Sequence, residues 1–98
     1  ADEHPHAAAL SLLAEAAGRD LTDVPPGPLH DSLARGLAAI PRRDWGAALE
    51  AFTEVVERRR DFAGGVAAEA GKAIFRYLGA RHPAAEPYYR RFSSALNS

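Results

Sequence analysis

Four histidines are the first residues to test for chemistry, because imidazole titrates near neutral pH and commonly binds metals. His4 and His6 flank Pro5, His30 opens a helical pattern, and His82 precedes Pro83. No two stand four residues apart and no His-Glu-x-x-His text occurs, so the helical zinc-site pattern is missing. His4 and His6 read as terminal residues, His30 as a first-turn residue and His82 as a turn or capping residue. The hydroxyls Ser11, Ser32, Ser93, Ser94, Thr22 and Thr53 have no nucleophile-elbow text and no evident base. Glu50 and Glu54 are one helical turn apart on an expected solvent face, with Glu54 spaced to pair with Arg58. Gly64, Gly65, Gly71 and Gly79 stand in no phosphate-binding motif. The expectation is a non-catalytic chain with no metal and no cofactor.

Recognition is the remaining chemistry. Residues 1–34 hold one Arg and six acids, whereas residues 35–98 hold eleven basic residues and seven acids. That asymmetry suits either a nucleic-acid face or two halves that attract each other. The basic half keeps many acids at helical spacing from an Arg, so nucleic acid is not the expected partner. Arg58, Arg59, Arg60, Arg90 and Arg91 read first as helix-end and solubilising charges. Brought together, they would suit an acidic segment of a protein partner. Trp45 either packs under a helix–helix turn or anchors an interface. Tyr88 and Tyr89 point about 100° apart on a helix, so one of them is a surface contact.

These residues must be positioned by helices. β-Branched residues are few, alanine is abundant and apolar residues make up 47% of 98 residues, which predicts one all-α domain. The chain has no cysteine, so disulfides and thiolate sites are excluded. No apolar run approaches the roughly 20 residues of a membrane span, and no signal-peptide pattern opens the chain. It starts at Ala1 without methionine, and is expected to be a segment of a longer product.

The pattern predicts about five helices. Residues 1–18 hold a first helix, about Pro5 to Ala17, stopped at Gly18. Residues 19–28 form a Pro-rich linker and residues 29–98 the main helical domain. A second helix spans about Leu29 to Ile40 and ends at Pro41. Asp44 should cap a third helix carrying Trp45, Ala48, Leu49, Phe52, Val55 and Val56 on one stripe, ending near Arg60. Asp61–Gly65 is expected as a turn. A fourth helix, about Val66 to Leu78, should bury Val66, Ala70, Ile74, Phe75 and Leu78 and stop at Gly79. The last should start within residues 84–87, with Glu86 as cap, and run to about Leu96. Helices two and three, and four and five, are expected to form antiparallel hairpins.

Gly36, Ala48 and Phe52 stand 12 and 4 residues apart, and the text from Asp44 to Val56 is close to a repeat's second helix. This central hairpin resembles a tetratricopeptide repeat, in which two small residues let the backbones approach and a large apolar residue follows. Ser32 and Ala39 replace larger residues of the motif, and Arg60 its closing proline. Further on come Arg58-Arg-Arg-Asp-Phe62, Phe75-Arg-Tyr-Leu-Gly79, Ala-Arg-His-Pro83 and Tyr89-Arg-Arg-Phe-Ser-Ser-Ala-Leu96. Together, residues 29–98 resemble the C-terminal tetratricopeptide region of bacterial thioredoxin-like co-chaperones. The thioredoxin domain is not among these residues, so its redox behaviour does not carry over. The resemblance implies a right-handed stack of antiparallel hairpins with Gly36, Ala48 and Phe52 as packing residues. It also implies a cytoplasmic module that binds a client polypeptide or a chaperone. The alternative is a homo-oligomerisation or capping domain.

Overall fold

The computed structural model describes residues 5–79 and 81–97, with side chains from Ala7 onward. The readings of His4 and of the His6 side chain lie outside the described residues. The fold is all-α: α1 (Pro5–Ala17), α2 (Pro28–Ala39), α3 (Trp45–Arg58), α4 (Val66–Leu78) and α5 (Glu86–Leu96).

Local chemistry accounts for the boundaries. Pro28, expected as the last linker residue, is instead the first residue of α2, where its missing N–H is not needed. Asp44 caps α3, its carboxylate accepting the Ala47 N–H at 3.2 Å. The expected turn at residues 61–65 contains a 3-10 helix, Phe62–Gly65. Ala63, Gly64 and Gly65 all have positive φ (53°, 74° and 81°), so the turn relies on its two glycines. Gly79, at φ 92°, closes α4 and donates to the Phe75 carbonyl. Glu86 does not cap α5. It is the first residue inside the helix, and Ala85 holds the cap position without a polar side chain. His82 organises the preceding turn: its Nδ1 accepts the Ala84 N–H, and its carbonyl accepts from Ala85 and Glu86.

The centre of the molecule is α3, whose Ala48, Leu49, Ala51, Phe52, Thr53, Val55 and Val56 are all buried. It packs against α2, α4 and α5. The register of α2 on α3 is antiparallel, with Gly36 against Phe52, and Ser32 and Arg35 against Glu54 further from the turn. A Cβ on Gly36 would come within 2.5 Å of the Phe52 ring, so the approach of the two helices depends on the absent side chain. The same device recurs between α4 and α5, where a Cβ on Gly71 would collide with the Phe92 ring. These two helices also run antiparallel, since Phe75 meets Tyr89 and Phe92 while Gly71 meets Phe92.

Beyond the linker, α1 folds back and packs chiefly along α4. The radius of gyration, 12.6 Å, is that of one compact body of this length, so α1 is not held away by its prolines. Val24 anchors the linker in the core at 5% exposure.

Candidate partner-binding surface

The corner between α2 and α3 is met by α1 and α4 as well. Trp45, the first residue of α3, is half-buried. Its ring is edge-on to Tyr77 of α4, with centroids 5.6 Å apart, and the Arg43 guanidinium lies 6.0 Å from its centre. Arg43 itself has a positive φ of 57°, a conformation that costs about 1 kcal/mol outside glycine. α1 lies across this corner and leaves an apolar cleft of about 320 Å³, whose walls include Leu13, Ala17, Ile40, Pro41, Arg43 and Trp45. Such a cleft is large enough to take an apolar side chain from a partner.

The arginines do not form one basic patch. Arg91 makes a two-pronged contact with Glu57 of α3, at 2.8 and 3.2 Å. Arg60 donates to the Leu96 carbonyl at the end of α5, and Arg59 lies 3.9 Å from Asp61. Arg58 and Arg90 are exposed, but Arg58 borders a recess that also contains Glu54 and Glu57. The expected partnership of Glu54 with Arg58 gives way to an interhelical one. Glu54 pairs with Arg35 at 3.2 Å, and Ser32 also donates to it. Charge is therefore used to join α2 to α3 and α3 to α5. The Arg91 hydrogen bond holds the Glu57 carboxyl below its ordinary pKa, and the same bond raises Arg91.

Of the two adjacent tyrosines, Tyr88 is half-buried and Tyr89 is exposed at 45%. Tyr89 rests edge-on against Phe75, with centroids 5.3 Å apart. Pro87 apart, the other exposed residues of α5 are polar, namely Glu86, Arg90, Arg91 and Ser94. Trp45 and Tyr89 thus lie on different parts of the molecule, and the candidate residues do not converge on one site. Of the residues expected to pack, Gly36 lies against the Phe52 ring, and Ala48 is fully buried on α3.

Sequence reasoning missed Arg43, Tyr77 and the pairing of Gly71 with Phe92. A search for a second mid-helix glycine would have found Gly71. The Tyr77–Trp45 contact depends on how α4 crosses α3, which no local pattern encodes.

A wider recess, about 730 Å³, lies between the end of α1 and the start of α4, bordered by Arg19, Glu15, Asp20, Asp23 and Glu69. The Thr22 backbone N–H bonds to Asp20 and lowers its pKa. Among the described residues, no group of three potential ligands is placed to hold a metal, and no helix is long and apolar enough to cross a membrane. Comparisons with protein-family models, curated proteins and solved structures gave no significant match.

Proposed function

We infer that this chain is a protein-interaction module of tetratricopeptide character that binds segments of other polypeptides without transforming them. The observation that carries this reading is the apolar cleft walled by half-buried Trp45 at the α2–α3 corner. A half-buried tryptophan beside a side-chain-sized cleft provides a large apolar contact area at small entropic cost. Two helix pairs closing glycine against phenylalanine support the repeat-like character. The polar outer face of α5 suits the end of a helical stack, where no further repeat has to dock. The partner is a client polypeptide or a chaperone, and the cytoplasm is the proposed compartment.

Reduced, carboxymethylated α-lactalbumin is a permanently unfolded polypeptide suited to testing this reading. Titrated with the chain, it should give saturable binding by isothermal titration calorimetry. Absence of binding at concentrations up to about 1 mM, equivalent to roughly 4 kcal/mol, would contradict the reading.

A further inference from the structure

We propose that α1 is a displaceable occupant of the chain's own helix-binding groove, and that the partner is an amphipathic helix carrying larger apolar side chains where α1 has Ala14 and Ala17. The proposal rests on the protein-binding reading and specifies its site and the form of its ligand.

The way α1 is held differs from the way α2 and α5 are held on α3. Arg35, Ser32 and Glu54 tie α2 to α3, and Arg91, Glu57 and Arg60 tie α3 to α5. Among the described side chains of α1, the hold is apolar, through fully buried Ala9 and Leu13 and nearly buried Ala16. Two of those three residues are alanines, which bury little area each. The opposite face exposes Ala7, Ala8 and Ser11, with Glu15 the one charge between Ala7 and Ala17. An ordinary surface helix carries a polar outer face, and α1 does not.

The fit is also incomplete. The cleft of about 320 Å³ opens where Ala14 and Ala17 face Ile40, Pro41 and Trp45. Leucine-sized side chains at those two positions would fill space that α1 leaves open, so an incoming helix can bury more area than α1 does. Residues 18–27 join α1 to α2 and span at most about 36 Å when extended. A displaced α1 therefore remains tethered near the groove and competes at high effective concentration. Binding from outside is reduced by the fraction of time α1 occupies the site.

The probe is a synthetic peptide of residues 5–17 carrying A14L and A17L, titrated into the whole chain with Trp45 emission as readout. The wild-type chain should bind it saturably. L13D, which places a charge on the buried face of α1, should bind at least about tenfold tighter. A17L, which fills the cleft from within, should bind at least about tenfold weaker. The proposal is overturned if L13D keeps its helix content by circular dichroism and gains no affinity. It is equally overturned if A17L binds like the wild type, an arm that decides the matter should L13D unfold. If no variant binds the peptide while unfolded α-lactalbumin still binds, the groove assignment fails and the broader reading stands. If neither ligand binds, both fail.

Discussion

At the scale of single residues, two opposing effects meet at Gly36. An alanine there gains about 0.5–1 kcal/mol of helix propensity, yet its methyl would lie within 2.5 Å of the Phe52 ring. Phe52 is fully buried, and forcing extra volume into a packed core costs about 1–3 kcal/mol. Gly36→Ala should therefore destabilise the chain by about 1–2 kcal/mol in urea unfolding, despite its better propensity. The loss should shrink in a Phe52→Leu background, a coupling that a double-mutant cycle measures. Thr53 presents the opposite case, a fully buried residue whose hydroxyl lacks a hydrogen-bond partner among the described residues. Thr53→Val keeps the shape and removes the unpaired group, so stability should stay level or rise by up to about 1–2 kcal/mol in the same measurement. The sequence displays the spacing of Gly36, Ala48 and Phe52 openly, because helical periodicity confines the packing residues of a helix to one face. The unpaired Thr53 was not legible, since nothing local distinguishes it from a solvent-facing threonine.

At the scale of elements, the helices are tied by charge at α2–α3 and α3–α5. The lowered pKa of Glu57 means that the folded state binds its proton less readily than the unfolded chain does. Its contribution is present above the ordinary carboxyl pKa of 4.5 and disappears as pH falls through the lower folded value. Both side chains are well exposed, at 39% and 49%, so solvent screening limits the pair to about 1 kcal/mol or less. Glu57→Gln should therefore cost at most about 1 kcal/mol near neutral pH and become indistinguishable from wild type in strong acid. Urea unfolding at both pH values checks this. Cap chemistry gives a larger effect: Asp44→Ala should cost about 1 kcal/mol, seen as a melting temperature about 4–8 °C lower. Helix existence and order were legible because proline, glycine and a capping aspartate punctuate the chain. The ion pairs were not. Helical spacing suggests partners within one helix, such as Glu54 with Arg58, whereas the observed pairs of Glu54 and Glu57 join different helices. The start of α5 falls within the expected residues 84–87, but Glu86 is not its cap, because His82 orders the turn through its backbone and ring before Glu86 is reached.

At the scale of the whole molecule, α1 looks in sequence like a separate segment behind a proline-rich linker, yet it lies along α4 and completes the core. Its apolar periodicity announced a helix but could not name α4 as its neighbour, because that contact spans some fifty residues of chain. The candidate arginines appeared as a cluster in sequence, and the fold disperses them among three internal contacts and two exposed positions. Of the expected partner-binding residues, Trp45 retains the strongest position, at the cleft that α1 leaves partly open. The most direct test of the account is a residue-resolved NMR titration of the whole chain with reduced, carboxymethylated α-lactalbumin. The account predicts saturable shifts concentrated on α1, on Ile40, Arg43 and Trp45 at the corner, and on the adjoining face of α4. Shifts confined to the outer face of α5, or none that saturate, would contradict it.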